Sequence, residues 1–202
     1  MKKIFVINGG QHFAHSGGKF NETLTGWTVD YFKNQLGAEV KVTDINDPYV
    51  AAEEVEKFVW ADLIIYHTPV WWFQLPYKLK EYIDVVFTEG HENGIYKNDG
   101  RSRHNDNPKL HYGTGGLLQG RKYMLTTSWN APIEAFTVKG EFFEQHNEDE
   151  AIIGAHKMNQ FVGLSRLEGF HFHEMEKGVT PEKIEEDRKE YIKHLENISH
   201  LL

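Results

Sequence analysis

Three short stretches of this chain carry residue types suited to an anionic and planar ligand. The first reads Asn8-Gly9-Gly10-Gln11-His12-Phe13-Ala14-His15-Ser16-Gly17-Gly18-Lys19-Phe20-Asn21. His15, Ser16, Gly18, Lys19, Phe20, Asn21 and Thr23 lie where a helix is expected to begin. Glycines let backbone N–H groups approach a ligand, and the positive end of a helix dipole favours phosphate. The alternative is a flexible turn with helix caps. The spacing is not a Walker A loop, because Phe20 follows Lys19 where Ser or Thr is needed and Phe13 stands at the first glycine position. Nor is it a G-x-G-x-x-G dinucleotide fingerprint. The second stretch, Thr68-Pro69-Val70-Trp71-Trp72-Phe73, places three aromatic rings directly after an apolar run. Such rings supply flat apolar walls for a planar group, but they serve cores and interfaces equally well. The third, Thr126-Thr127-Ser128-Trp129-Asn130-Ala131-Pro132, adds an indole and several hydrogen-bonding groups, or is a polar turn.

Other chemistries find no support. The chain has no cysteine, which removes disulfides, thiolate catalysis, Fe–S clusters and cysteine-bound zinc. No G-x-S-x-G elbow is present. Twelve histidines include no H-E-x-x-H pair. His171 and His173 would share one face of a strand, yet two imidazoles without a third ligand make a poor metal site. No metal is expected. The formal net charge of −8 argues against nucleic acid as a partner. Met1-Lys2-Lys3 precedes an apolar run of only four residues, too short for a signal peptide, and no stretch reaches membrane-spanning length. A cytoplasmic protein is expected.

The three stretches must be positioned by regular elements. Ile4 to Ile7 is apolar throughout, as in a strand covered on both faces of a parallel sheet. Residues 20–36 read as a helix stopped by Gly37. Glu39 to Ile45 alternates, as a strand nearer an edge would. Ala51 to Phe58 is a short charged helix, and Ala61 to His67 a third strand. Leu79, Tyr82, Ile83, Val86 and Phe87 follow the spacing of an amphipathic helix. Residues 88–121 are rich in Gly, Asn and Asp, a long segment of the functional or disordered kind. Lys122 to Trp129 is a fourth strand, Ala151 to Val162 a helix, and Leu167 to His173 a fifth strand. Thr180-Pro181-Glu182 opens a final helix, with Thr as N-cap and Pro in the first turn. The alternation implies one α/β domain over residues 1–202, a doubly wound sheet of five parallel strands in the order 2-1-3-4-5 with helices on both faces. In that order the segments after strands 1, 3 and 4 meet where the strand order reverses, and ligands bind there.

With those residues in view, the chain closely resembles the modulator of drug activity B family, bacterial NAD(P)H:quinone oxidoreductases of the flavodoxin-like fold. The resemblance runs from Ile4 to about Gly163. It is carried by Phe13-Ala14-His15-Ser16 with Asn21, Pro69 with Trp71-Trp72, Val86-Phe87-Thr88-Glu89-Gly90-His91, Tyr112-Gly113 and Trp129-Asn130-Ala131-Pro132, among other pieces. It implies FAD, a homodimer, and two-electron reduction of quinones by NADPH or NADH. It implies that Ser16 to Thr23 hold the FAD pyrophosphate. Pro69, Val70, Trp71 and Trp72, with Thr127, Ser128, Trp129 and Asn130, would line the isoalloxazine, and Tyr112 would contact the flavin and take part in catalysis. Val70 departs from the glycine expected between Pro69 and Trp71. With one flavin site and no second nucleotide fingerprint, ping-pong kinetics are expected. An electron-carrier flavodoxin, a redox-sensing module and an azo- or nitroreductase are the alternatives.

Overall fold

The computed structural model describes residues 1–13, 16–177 and 179–202. Its sheet is built from β1 (Lys3–Asn8), β2 (Glu39–Asp44), β3 (Leu63–Pro69), β4 (Lys122–Ser128), β5 (Ser165–Arg166) and β6 (Phe170–Phe172). The order is β2-β1-β3-β4-β5, with β6 also on β4, and every pairing is parallel. This is the expected flavodoxin-like order. The helices are α1 (Lys19–Asp30), α2 (Ala51–Trp60), α3 (Tyr77–Glu89), α4 (Glu134–Thr137), α5 (Glu148–Ala151), α6 (Ile153–Phe161) and α7 (Pro181–Ser199).

Alternation along the buried strands builds two cores. Phe5, Ile7, Ile64, Tyr66, Tyr123 and Leu125 pack with Phe58 of α2 and Leu79 and Ile83 of α3. Ile4, Val6, Leu63, Ile65 and Met124 face the other way, against Leu24 of α1 and Tyr191 and Leu195 of α7. Each such fully buried side chain contributes roughly 1.5–3 kcal/mol. Because both faces are covered, these strands read as unbroken apolar runs. The final helix starts as expected: Thr180 Oγ1 accepts from the Lys183 N–H at 3.2 Å, and Pro181 occupies the first turn.

Three elements differ from expectation. The helix read over 20–36 passes after Asp30 into a π-helical turn, Tyr31–Gln35, before Gly37 (φ 63°) ends it. The fifth strand is split. Tyr123 pairs with Arg166 and Thr126 with Phe170, so three steps along β4 are matched by four along the edge. One extra residue makes a β-bulge, the kind of feature favoured at sheet edges. Gly169 sits in it because a Cβ there would stand 2.7 Å from the Leu125 carbonyl oxygen. Finally, residues 88–121, read as functional or disordered, are an ordered part of the packed structure. Ile95 and Leu118 are buried in the core, and the Leu118 N–H donates to the Val162 carbonyl at 3.0 Å. A Cβ on Gly116 would lie 2.1 Å from the Val162 carbonyl carbon. The segment is therefore packed tightly against the amino end of the sheet.

The central strands turn polar in one shared row. Asn8 pairs with His67, and His67 with Thr126. All three are buried. Thr28 Oγ1 donates to the Leu24 carbonyl at 3.0 Å, so it accepts from His67 Nε2 at 2.9 Å and from the Tyr191 hydroxyl at 2.8 Å. His67 thus carries its hydrogen on Nε2. Burial pushes its pKa down to about 3. Between pH 6.5 and 3 the unfolded chain therefore binds a proton that the native state refuses, and stability falls as pH falls through that window. Relative to pH 7, about 2 kcal/mol should be lost at pH 5 from this residue. His67→Gln should flatten that part of the pH dependence in denaturant unfolding. Equal slopes for the two proteins would show that His67 is not the group responsible.

Candidate active site

The register brings the three stretches to one edge and stitches them together. The Gly9 N–H donates to the His67 carbonyl at 2.7 Å, joining the first loop to the end of β3. The Val70 N–H donates to the Ser128 carbonyl at 2.9 Å, joining the second to the third. The rings of Phe13 and Trp71 lie 5.3 Å apart, closing the first loop against the second. The turn after β4 is held from its far side by the Trp129 N–H to the Phe172 carbonyl (2.8 Å) and the Met175 N–H to the Trp129 carbonyl (2.9 Å).

The first loop has the form of an anion cradle. Gly18, at φ 68°, is the N-cap residue of α1, and no side chain caps the helix. The first intrahelical bond among the described residues runs from the Glu22 N–H to the Gly18 carbonyl, and the amides of Lys19, Phe20 and Asn21 have no acceptor among those residues. Gly10 is required by close packing, since a Cβ there would stand 2.6 Å from that of Asn21. Gln11 Nε2 and Asn21 Oδ1 are both buried without partners among the described residues. Buried polar groups are nearly always paired, so two orphans beside an uncapped helix start fit a ligand with phosphate and hydrogen-bonding atoms. Lys19 and Thr23 are exposed at the same helix start, and Ser16 exchanges two backbone bonds with Phe13. The ring of Phe20 is committed to the core, edge-on to Phe172 at 4.9 Å. His15 lies outside the described residues.

The second loop is a tight hairpin turn. Trp71 and Gln74 exchange both backbone bonds at 3.0 Å, and the two residues between them have positive φ, 48° at Trp72 and 63° at Phe73. This is the type I′ pattern, which normally calls for Asn and Gly. Two bulky residues there cost roughly 1–2 kcal/mol each. The turn presents Trp72, which is 91 % exposed, beyond the strand ends. Phe73 stacks on Phe142 at 5.3 Å. Val70 packs its side chain against the core and spends its amide on Ser128, so neither is free for a ligand. Pro69 is buried at the end of β3. The amides of Trp72 and Phe73 carry no bond among the described residues.

In the third loop the indole faces the core rather than the strand-end cleft. Trp129 is 3 % exposed, packed against Phe136 and Phe143 at 5.1 and 5.8 Å, with Nε1 donating to Thr127 Oγ1 at 2.7 Å. Its indole anchors the turn, and what the turn can offer a ligand is backbone together with the exposed Asn130. Thr127 and Ser128 are buried at the end of β4. Tyr112 is not brought to this edge. It packs on Phe161 at 5.6 Å, beneath Arg101 at 5.6 Å, and Phe161 ends the helix that leads into β5. Tyr112 therefore sits at the amino end of the sheet, roughly 20 Å away along a seven-residue strand. It is 68 % exposed.

His171 and His173 do not converge on a cation. His171 turns to Thr127 and Asp149, and His173 to Glu148 at 2.7 Å. No group of metal-binding side chains exists among the described residues. Gln11 and Asp149 escaped the sequence reading. The first is marked only by its place in Gly-Gly-Gln, and the second by nothing local.

The comparisons with known proteins agree with this geometry. A sequence model of the family described as having the flavodoxin-like fold matches residues 2–195. The NADPH:quinone oxidoreductase MdaB of Haemophilus influenzae is 43 % identical over 195 residues, covering 96 % of this chain and 98 % of its own. A Klebsiella pneumoniae structure assigned as a quinone reductase superposes with a TM-score of 0.76 at 20 % identity, covering 98 % of this chain and 85 % of that one. The general stress protein 14 of Treponema denticola, solved in complex with FMN, gives 0.66 at 18 % identity, covering 98 % and 99 %. At such identities the two structures speak for the fold alone. No helix among the described residues is long and apolar enough to cross a membrane.

The strained turn yields a test. Trp72 makes almost no contact with the rest of the chain, so Trp72→Gly should relieve the left-handed strain and cost little packing. The ligand-free protein should gain about 1 kcal/mol, a rise of roughly 2–4 °C in thermal midpoint. A lower midpoint would mean that the turn is not strained.

Proposed function

The chain belongs to the modulator of drug activity B family of the flavodoxin-like fold, and on that footing we propose that it is an NAD(P)H:quinone oxidoreductase working with bound FAD. One observation carries the reading beyond family membership. An uncapped helix start, two polar atoms buried without partners among the described residues and a presented indole all converge on a single sheet edge. In this reading Ser16, Gly18, Lys19, Asn21 and Thr23 hold the pyrophosphate. His15 is assigned there on the family resemblance. Trp71, Trp72 and the backbone of residues 127–130 flank the ring system.

When bound, the flavin supplies two-electron chemistry, accepting hydride from NADPH or NADH and delivering it to a quinone. The chain's part is binding and electrostatics. The α1 amides and Lys19 offset phosphate charge. The free amides of the Trp72 turn offer donors where negative charge gathers. Phe13 and Trp71 close the first two loops against water. No second nucleotide fingerprint exists in the sequence, so hydride donor and quinone take turns at one site. Flavin released by heating should chromatograph as FAD, and initial rates with varied NADPH and quinone should give parallel double-reciprocal lines. A colourless protein that takes up no FAD, or intersecting lines, would count against the reading.

The placement of Tyr112 bears on assembly. A residue some 20 Å from the site along its own sheet cannot serve that site, whereas a two-fold partner can bring its opposite end alongside. We assign the enzyme as a homodimer in which Tyr112 of one subunit reaches the flavin of the other. Tyr112→Phe should then lower quinone turnover severalfold while flavin content per chain stays unchanged. Unaltered turnover would remove the hydroxyl from catalysis.

A further inference from the structure

Behind the third loop, a line of side chains runs from Thr127 into the sheet. Trp129 Nε1 donates to Thr127 Oγ1, and that same oxygen lies 2.7 Å from His171 Nδ1. His171 Nε2 lies 3.5 Å from Asp149 Oδ1, which also accepts from His156 Nε2 at 2.9 Å. His156 Nδ1 is 2.8 Å from the Tyr123 hydroxyl. The sheet makes the first contact obligatory, because Thr127 and His171 are direct partners across β4 and β6.

Counting hydrogens gives the line a direction. Both Nε2 atoms face a carboxylate oxygen, so each must carry a hydrogen. A lone pair set against a carboxylate would be repelled. In the neutral rings, both Nδ1 atoms are then acceptors. Tyr123 donates to His156, and Thr127 donates to His171. The Thr127 hydroxyl has a single hydrogen and spends it on His171, while its lone pair receives the Trp129 N–H. The line ends on Asp149, which is hydrogen-bonded by His156 and lies at ion-pair distance from His171. Burial would raise the Asp149 pKa, but hydrogen bonds from His156 and His171 outweigh it and hold the carboxyl well below its usual range.

We propose that His171 and Asp149 are positioning residues for the turn at 127–130, and that protonation of His171 resets this turn. The proposal rests on reading that turn as flavin-facing. A protonated His171 gains a hydrogen on Nδ1 and donates it to Thr127 Oγ1. The Thr127 hydrogen must then leave for another acceptor, and the oxygen that fixes Trp129 becomes shared between two donors. The charged and titratable groups facing His171 are Asp149 and Glu148 of α5, His156 of α6, Arg166 of β5 and His194 of α7. Arg166 acts through its 3.3 Å pairing with Asp149 Oδ2.

The test uses the full-length protein with ¹⁵N-labelled tryptophan, the Trp129 indole resonance being assigned through Trp129→Phe. In the ligand-free wild type, that resonance should move as His171 takes up a proton. The movement should vanish in His171→Phe and in the near-isosteric Thr127→Val, and survive in Thr127→Ser. The dissociation constant for FAD at pH 7 should weaken roughly tenfold in His171→Phe, the loss expected for one hydrogen bond, and its pH dependence should flatten. An indole titration that persists in His171→Phe overturns the proposal. So does wild-type FAD affinity in folded His171→Phe or Thr127→Val protein. A wild type whose indole titrates through His171 but which takes up no FAD would sink the flavin reading and leave the hydrogen-bonded line intact.

Discussion

Parallel pairing puts equivalent positions of neighbouring strands in one row, and in this protein one such row decides where everything else goes. Asn8, His67 and Thr126 stand side by side at the point where three apolar strands become polar. A buried polar row is costly unless each group finds a partner. Part of the demand is met from within. Asn8 Nδ2 donates to Asp44 at 2.9 Å and Asn8 Oδ1 accepts from the Gly10 N–H at 3.0 Å, while His67 is paired with Thr28. The remainder is unmet among the described residues, at His67 Nδ1 and Thr126 Oγ1 in the row itself and at Gln11 Nε2 and Asn21 Oδ1 just beyond it. The site is thus the place where the polarity required by the strand ends exceeds what the chain itself can satisfy.

The aromatic residues divide their work across the same edge. Trp129, Phe136 and Phe143 form a packed block, the two phenylalanines stacking at 4.0 Å. Phe73 stacks on Phe142, whose neighbour Phe143 also lies edge-on to Phe73 at 5.9 Å. The strained turn is therefore supported by rings rooted in the core, while the first loop meets its other flank through Phe13 on Trp71. Strain of a few kcal/mol persists only where the surroundings over-determine it. Here the stacking beneath Phe73 does so, and it leaves Trp72 free.

Much of this was legible in the chain. Ile4 to Ile7, the run ending at His67 and the run beginning at Lys122 are apolar on both faces and end in Gly, Pro or polar clusters, so their place in a covered parallel sheet follows from composition. The strand order then brings the three loops together. What was not legible depends on register and on contacts distant in sequence. The extra residue at Glu168-Gly169 looks like ordinary chain until it is matched against β4. Trp129 reads as a wall residue as readily as a core one, since an indole serves both, and only the approach of Phe136 and Phe143 decides the matter. Tyr112 could be recognised as belonging to a family motif, yet its distance from the strand ends depends on how Gly116 packs on Val162.

The bulge links these failures of local reading to the site. Without the extra residue, the strand continuing from Arg166 would meet Thr127 with Phe170 rather than His171, because a one-residue slip shifts every side chain to the opposite face. Phe170 instead lies beside Tyr191 at 5.4 Å in the α1/α7 core, and His171 points to the face that holds Asp149 and His156. An uninterrupted edge strand would bury an imidazole where Phe172 now packs on Tyr191 and Phe20, and set a phenyl ring against Thr127 and a carboxylate. Both exchanges leave polar atoms unpaired in the interior, at roughly 1–3 kcal/mol each. The break in the edge strand is thus the condition under which the last third of the chain can contribute polar groups to one face of β4 and apolar rings to the other.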